Sequence, residues 1–198
     1  MNIKLLKKLL ENVKGGHTSV AEALDGLKTL PFEELEFATI DTHRSLRQGF
    51  PEVIFGQGKT ALQIKAIARS MLAKGENVLV TRLDEKKGRA LVKAFPKGDY
   101  RPLSRTFFVK SHPVKKTGKG TVLVICAGTS DVPVAEEAAV TAECMGNRVQ
   151  RLYDIGVAGI HRLLHKKEAL WGANVLIVVA GMEGALPSVV AGLVSRPV

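Results

Sequence analysis

Apolar residues recur at helical spacing through the first 31 residues of the chain. Gly15 and Gly16 interrupt the pattern, and Thr18 or Ser19 is a suitable N-cap for a second helix over VAEALDGLKTL. The segment therefore predicts two short amphipathic helices whose apolar sides pack on a neighbour. The apolar positions of the first helix are Leu5, Leu6, Leu9, Leu10 and Val13.

Residues 51–95 alternate between short β-branched runs and longer helical patterns. The strand-like runs are EVIF and NVLVTRL, and the helical stretches are ALQIKAIARSMLAKG and DEKKGRALVKAFP. This order predicts a βαβα unit with parallel strands. Residues 96–120 are rich in Pro, Gly and Lys, and the end of this stretch predicts a linker with a domain boundary near residues 118–120.

Beyond this boundary three strand-like runs alternate with three helical stretches. The runs are TVLVICAG, NRVQRLYDIG and NVLIVVAG, and a single helix is expected over AGIHRLLHKKEALWGA. The sequence therefore predicts an α/β protein with a C-terminal doubly wound parallel sheet of Rossmann or flavodoxin type, preceded by a smaller α/β domain. The predicted segments are the N-terminal helices at 1–36, the smaller domain at 37–117 and the doubly wound domain at 118–198.

Glycine-rich loops follow the three strands of the second half, at residues 127–131, 154–162 and 180–187. Ligands of such sheets bind at the carboxyl ends of the strands, so these loops are the expected binding edge. In the first loop Ser130 and Asp131 could hold a phosphate or ribose, or could only cap the following helix. In the second, Arg162 beside His161 suits a phosphate, although a solvated helix face explains both residues equally. In the third, Glu183 follows a buried strand, where a carboxylate is costly unless it faces a cleft.

GQGKT at residues 56–60 resembles the phosphate-binding loop of nucleotide hydrolases. That loop needs a glycine where this chain has Val53, whose branched side chain cannot give the close backbone approach that glycine gives. Nucleotide hydrolysis is therefore not predicted from this stretch, and Lys59 is kept only as a candidate phosphate contact.

The stretch DTHRSLRQGFPEV concentrates charged and metal-ligating residue types. Asp41 and His43 have no obvious third ligand, so a surface polar cluster explains them better than a metal site, and no metal is identified. Arg44 and Arg47 share a helical face, from which they could grip phosphates or pair with carboxylates.

Composition narrows the class of partner without choosing one. The chain has 198 residues, is 45% hydrophobic and carries a formal charge of +10, which favours anionic partners of any kind. An aromatic content of 5% argues against a stacking surface for single-stranded nucleic acid.

Cys126 and Cys144 are expected to be buried thiols. The N-terminus lacks the pattern of a signal peptide and no long apolar window occurs, so a cytoplasmic protein without membrane or nucleic-acid partners is expected.

Motifs in both halves closely resemble one enzyme family. The stretches are DTHRSLRQGFPEVIFGQGKT, VLVICAGTSDVPVAEEAAVTAECMGNRVQRLYDIGVAGIHRLL and VLIVVAGMEGALPSVVAGLV. They resemble the pyridinium-3,5-biscarboxylic acid mononucleotide synthases, the carboxylases that begin nickel-pincer cofactor assembly for lactate racemase. The likeness runs from about residue 30 to the last residue.

The second half alone is similar to the aminoimidazole ribonucleotide carboxylases of purine synthesis. Their Ser-Asp, His-Arg and Ala-Gly loops match Ser130-Asp131, His161-Arg162 and Ala180-Gly181. Those enzymes carry a catalytic histidine before a Leu-Pro pair, where this chain has Ala185. Purine carboxylation therefore ranks second, because the proton-transferring imidazole is missing.

The first resemblance implies carboxylation of the pyridinium ring of nicotinic acid adenine dinucleotide by carbon dioxide or bicarbonate, with cleavage of the phosphoanhydride to release AMP. It implies an octamer, and magnesium as an ion that assists at the pyrophosphate. The family's cysteine nucleophile lies in a C-terminal segment that this chain does not contain, so a truncated chain is expected and a non-catalytic nucleotide-binding module is the alternative. The basic stretch KSHPVKKTGKGT is explained by a solvated linker as well as by nucleic acid.

The resemblance also assigns roles to residues. Ser130 and Asp131 are expected to hold the ribose and phosphate, Arg162 a phosphate, and Glu183 to line the ring or carbon dioxide pocket. Glu183 and Asp131 are thus the candidate catalytic residues, and Arg44, Arg47 and Lys59 are expected to contact the phosphates of the dinucleotide. The predicted substrate-binding residues are Gly128, Thr129, Ser130, Asp131, Gly159, His161, Arg162, Gly181, Met182 and Gly184.

Overall fold

A computed structural model describes residues 3–27 and 32–198, with side chains from residue 6 onward. The chain divides into two compact units. The N-terminal unit comprises Met1–Tyr100 and Phe107–Pro113, and the C-terminal unit comprises Arg101–Thr106 and Val114–Val198. The segment limits predicted at residues 36 and 117 stay predictions.

The N-terminal unit begins with the two predicted helices, α1 (Ile3–Lys14) and α2 (Val20–Leu27). Ser19 is the N-cap of α2. Its hydroxyl accepts from the Glu22 amide at 3.1 Å, and the Glu22 carboxylate accepts from the Ser19 amide at 2.7 Å. This reciprocal pair satisfies two amides that the first turn of a helix leaves without a partner.

An antiparallel hairpin that the sequence reading did not find follows these helices. It consists of β1 (Phe32–Leu35) and β2 (Ala38–Asp41), with Phe32 opposite Asp41 and Leu35 opposite Ala38. The short helix α3 (Arg44–Gln48) comes next and ends at Gly49, whose φ of 82° requires the left-handed region. Glu33 and Glu34 occupy both central positions of β1, and they mask its strand pattern.

The βαβα unit of residues 51–95 is confirmed. It contains β3 (Val53–Phe55), α4 (Ala61–Ala73), β4 (Val78–Thr81) and α5 (Glu85–Ala94), and β3 and β4 are parallel. Thr60 caps α4 in a reciprocal arrangement with Gln63, and Asp84 caps α5 by accepting from the Lys87 amide at 2.8 Å.

Two further strands, which were not predicted, occupy the first part of the stretch 96–120 that is rich in Pro, Gly and Lys. They are β5 (Asp99–Arg101) and β6 (Thr106–Val109), and they complete a four-stranded sheet of order β3-β4-β6-β5 in which β6 is antiparallel to β4. The surrounding Pro, Gly and Lys residues hid the short apolar run TFFV, and the linker expected at the end of the stretch stays a prediction. Phe107 is completely buried in the core of this unit, beside Leu83 and Leu91.

The C-terminal unit contains the three parallel strands that the sequence predicted. They are β7 (Thr121–Cys126), β8 (Arg148–Leu152) and β9 (Val175–Val179), in the order β8-β7-β9. The helices are α6 (Val132–Cys144), α7 (Ile160–Leu164), α8 (Lys167–Gly172) and α9 (Leu186–Leu193). The single helix expected between β8 and β9 is in fact α7 and α8, with a turn at residues 165–166.

Alternate residues of β7 enter different cores, as the two-residue period of a strand requires. Leu123 and Ile125 pack with the leucines of α7, α8 and α9, whereas Val124 and Cys126 pack against Ala135 and Ala139 of α6. Helices thus cover both faces, and the fold is the Rossmann- or flavodoxin-like α/β arrangement predicted. No helix in the described part of the chain is long and apolar enough to span a membrane.

Glu33 links β1 to α4, and its contribution to stability depends on pH. Lys74 and the Ser70 hydroxyl, the latter at 2.7 Å, hold the pKa of this carboxyl below its usual value of 4.5. A lowered pKa stabilises the fold above pH 4.5, and this stabilisation is lost as the pH falls through the lowered value.

We expect Glu33→Gln to reduce the free energy of unfolding at pH 7 by about 1 kcal/mol, because it removes a half-buried charged hydrogen bond. Urea titrations at pH 7 and at pH 3 should show this difference shrinking in acid. Glu34→Gln, at the exposed neighbouring position of β1, is the control and should have little effect. Equal differences at both pH values would contradict the expectation.

Candidate functional site

The loops after β7 and β9 lie side by side at the carboxyl edge of the C-terminal sheet. The chain leaves β7 for β8 on one side and later returns to β9 on the other side. The connections from the neighbouring strands β7 and β9 therefore diverge, which makes their carboxyl ends a topological switch point, where sheets of this kind bind ligands. Two of the three predicted loops, 127–131 and 180–187, meet at this point.

Asp131 joins these two loops with one carboxylate. Its Oδ2 accepts from the Gly128 amide at 2.9 Å, and its Oδ1 accepts from the Gly181 amide at 3.1 Å, fifty residues further along the chain. Asp131 also ends the short 3-10 turn Thr129–Asp131 that leads into α6. Asp131 stands at the N-cap position of α6, but its side chain makes no capping hydrogen bond there. Its carboxylate links the two loops instead.

The hydroxyls of Thr129 and Ser130 lie beside this bridge on exposed residues. The loop after β8 approaches from the other side, where a Cβ on Gly156 would lie only 3.0 Å from the Ala127 carbonyl oxygen. A side chain at this position would press on the backbone that carries the loop after β7. Gly156 was not among the predicted site residues. The only feature of the sequence that points to it is its position after a strand.

Residues 181–184 form a tight exposed turn. The Gly184 amide donates to the Gly181 carbonyl at 2.9 Å, and Gly184 has a φ of 65°. Met182 is fully exposed at a φ of 32°, in a region that side chains rarely adopt. Glu183 is exposed too. The free-energy cost of burying its carboxylate, which suggested that it faces a cleft, therefore does not arise. Its catalytic role stays a prediction on the strength of the resemblance.

Arg162 is held in place by Asp154, a residue that the sequence reading did not select. The guanidinium Nη1 donates to the Asp154 carbonyl at 2.8 Å and lies 3.2 Å from its carboxylate. A Cβ on Gly159 would lie 2.6 Å from Nε of Arg162, so glycine leaves the space that this side chain occupies. Both Arg162 and His161 are exposed on α7. An arginine that is fixed but still exposed can offer its remaining N–H groups to an anion.

Cys126 is the last residue of β7 and is completely buried, as predicted. Burial raises the pKa of its thiol, and the nearby carboxylates of Asp131 and Asp154 raise it further against one opposing backbone hydrogen bond. Such a thiol is a poor nucleophile at neutral pH, because the reactive form is the thiolate. Cys144 is only half-buried, at the end of α6, because that helix end is partly open to solvent.

The candidate phosphate contacts of the N-terminal unit each have a partner in the protein. Arg47 forms a bidentate pair with Asp41, at 2.5 and 3.3 Å, and this pair holds the pKa of the Asp41 carboxyl below its usual range. Arg44 lies over the Phe50 ring with its Cζ 5.5 Å from the ring centroid. Lys59 donates to the Phe55 carbonyl at 3.1 Å. The sequence left open whether the arginines of α3 bind phosphates or pair with carboxylates. In the structure Arg47 pairs with a carboxylate.

The described carboxylates do not gather into a cluster of metal ligands. Asp131 uses both of its oxygens on backbone amides, and Asp154 and Asp41 each face an arginine. Within residues 3–27 and 32–198 no group of three or more His, Cys, Asp or Glu side chains could hold a metal ion. Magnesium at substrate phosphates needs only one or two protein carboxylates beside its waters, so an ion that assists at the pyrophosphate stays a prediction.

Comparisons with known proteins agree with this architecture. Residues 32–112, which include β1 to β6, match the family described as LarB/PurE-like N-terminal domain. The chain is also 38% identical over 205 residues to the uncharacterized protein MJ0165 of Methanocaldococcus jannaschii, in an alignment that covers 98% of this chain and 79% of that protein. The domain match and the full-length likeness show that the chain belongs to the LarB/PurE-like family.

Proposed function

We propose that this protein carboxylates the pyridinium ring of nicotinic acid adenine dinucleotide and cleaves its phosphoanhydride to release AMP, the first step of nickel-pincer cofactor synthesis. Membership of the LarB/PurE-like family points to an enzyme of the carboxylase or mutase kind. The choice of the dinucleotide as substrate is more specific than family membership, and it rests on the motifs in the loops of the C-terminal unit.

The observation that supports this proposal best is the Asp131 bridge. It holds together two glycine-rich loops at the switch point, one with the hydroxyls of Thr129 and Ser130 and one with Glu183. Hydroxyls, backbone amides and an arginine held by Asp154 suit phosphate and ribose, and the turn of residues 181–184 is open to solvent. Such an edge serves a nucleotide better than a metal or a peptide.

The overall reaction balances without an oxidant or reductant. Carbon dioxide forms a carbon–carbon bond to the ring, and the hydrogen of that ring carbon leaves as a proton. Water cleaves the phosphoanhydride and gives AMP and the mononucleotide. In this proposal Arg162 binds a phosphate, Ser130 binds the phosphate or ribose, and Asp131 keeps both loops in register. Preorganised contacts of this kind lower the barrier by fixing the reacting groups before reaction.

An electron-poor pyridinium ring needs a nucleophile to make its carbon reactive. The family resemblance gives this role to a cysteine thiolate that neither Cys126 nor Cys144 matches. The raised pKa of Cys126 argues against that thiol as well. We therefore assign binding and positioning to the described residues and no nucleophile.

Purine carboxylation is the second candidate function for the same loops. Ala185 stands directly before α9, where the purine enzymes carry a histidine, and an alanine transfers no proton. The experiment that tests the proposal supplies the full-length protein with labelled bicarbonate and either nicotinic acid adenine dinucleotide or aminoimidazole ribonucleotide. We expect label in a pyridinium dicarboxylate mononucleotide, with AMP released in equal amount.

Label in carboxyaminoimidazole ribonucleotide would replace the proposal with the purine reaction. Calorimetric binding of the dinucleotide with no label in any product would instead identify a nucleotide-binding module. Either result rejects the pyridinium carboxylase.

The role of Arg162 can be measured by binding alone. Arg162→Gln removes a charged contact to phosphate, so we expect the calorimetric Kd for nicotinic acid adenine dinucleotide to rise about tenfold or more. Arg89→Gln is the matched control, because Arg89 is exposed on α5 and pairs with Glu85. An unchanged Kd for Arg162→Gln would remove this residue from the site.

Asp131→Asn separates positioning from proton transfer. The amide can accept one of the two backbone N–H groups but not both through carboxylate oxygens, so the loops should loosen. We expect the Kd for the dinucleotide to rise several-fold while the pH profile of kcat keeps its shape. Loss of one limb of that profile with an unchanged Kd would instead make Asp131 the acid or base of the reaction.

A further inference from the structure

Asp154 lies in the loop after β8 in a backbone conformation that few side chains adopt. Its φ is 57°, in the left-handed region that favours glycine and that aspartate and asparagine tolerate better than other residues. The next residue anchors this loop, because the Ile155 amide donates to the Cys126 carbonyl at 3.1 Å and the Ile155 side chain is buried in the core. The backbone of Asp154 is thus held against the end of β7.

Two acceptors of Asp154 lie at one nitrogen of Arg162. Nη1 of Arg162 donates to the Asp154 carbonyl oxygen at 2.8 Å and lies 3.2 Å from the carboxylate oxygen Oδ2. The side chains of Arg162 and Asp154 are 41% and 56% exposed, and an ion pair this exposed contributes little to the stability of a fold. Two acceptors on an anchored loop do restrict the rotamers of a long side chain, whose ordering otherwise costs free energy when a ligand binds.

The other edge of the Arg162 guanidinium carries two N–H donors that have no partner in the protein. Among the residues that the structure describes, none accepts a hydrogen bond from Nε or Nη2 of Arg162. A Cβ at Gly159 would lie 2.6 Å from Nε and 3.1 Å from Nη2, so glycine leaves this edge uncovered by a side chain. Parallel N–H groups of this kind bind two oxygens of one phosphate or carboxylate.

We propose that Asp154 is a positioning residue, which holds Nη1 of Arg162 so that Nε and Nη2 face two oxygens of one anionic group of the substrate. This inference rests on the proposed function, in which Arg162 binds a phosphate. It adds that the affinity for this phosphate depends on a residue that does not touch the ligand. An arginine that is ordered before binding loses less rotamer freedom when the anion arrives.

The Asp154 carboxylate also repels an anion, so its charge and its hydrogen bond act on affinity in opposite directions. Two substitutions separate these effects. Asp154→Asn and Asp154→Gly remove the same charge, and both new residues accept a left-handed φ. Asparagine keeps a side-chain oxygen that can accept from Nη1 of Arg162, whereas glycine has none.

We expect calorimetry on the full-length protein to give a Kd for nicotinic acid adenine dinucleotide that is about fivefold higher for Asp154→Gly than for Asp154→Asn. In the Arg162→Gln background this difference should disappear, because no guanidinium is left for residue 154 to hold. Equal Kd values for the two variants would overturn the proposal. A difference of the same size without Arg162 would also overturn it and give Asp154 a structural role in the loop.

A matched pair of variants measures the flexibility that glycine itself adds to a loop. Arg105 is another exposed residue with a left-handed φ, 54°, and it lies outside the three loops of the candidate site. Arg105→Gly and Arg105→Asn should bind the dinucleotide with the same Kd. A difference as large as that at Asp154 would assign the effect to flexibility and reject the positioning role.

Inorganic phosphate is a second probe, because it offers the same oxygens to Arg162 whatever the substrate is. Wild type that binds phosphate but not the dinucleotide would reject the proposed function, and the ratio of the two Kd values for phosphate, Asp154→Gly over Asp154→Asn, would then decide the role of Asp154. Wild type that binds the dinucleotide with a ratio of one would reject the positioning role alone. Wild type that binds neither anion would overturn both.

Discussion

One carboxylate holds the candidate site together. Asp131 accepts from Gly128 and Gly181, and in doing so it ties the loop after the central strand to the loop after an edge strand. Hydrogen bonds to a charged acceptor are stronger than neutral ones, so two short glycine-rich segments gain a defined geometry from a single side chain. This bridge sets the distance between the loop that carries the hydroxyls of Thr129 and Ser130 and the start of the turn at residues 181–184.

The C-terminal fold could be predicted because its signals are local. Runs such as TVLVIC and VLIVV are dense in β-branched residues and are separated by helices of the length that parallel strands require. The four strands β1, β2, β5 and β6 were not found, since glutamates interrupt β1 and Pro, Gly and Lys surround β6. These strands form because their apolar side chains are buried by the rest of the unit, most clearly Phe107, although the local composition does not favour a strand.

The site could be located from sequence but its contacts could not. The rule that ligands bind at the carboxyl ends of parallel strands pointed to three loops, two of which the structure joins through Asp131. The partners of Asp131 and Arg162 depend on distances across the sheet, which no spacing in the sequence encodes. Asp154 could not be selected from sequence for the same reason. An aspartate after a strand is common, and only its contact with Arg162 identifies it as a residue of the candidate site.

The central place of β7 has a consequence for the motion of the site. This strand is paired on both sides, with β8 and with β9, and its residues from Leu123 to Cys126 are buried. Strands of this kind exchange their amide hydrogens only when the whole unit opens. The loop of Asp131 follows directly from the end of β7. The candidate binding edge is therefore anchored on a strand whose amides we expect to exchange slowly, and the exposed turn around Met182 is the part that is free to adapt to a ligand.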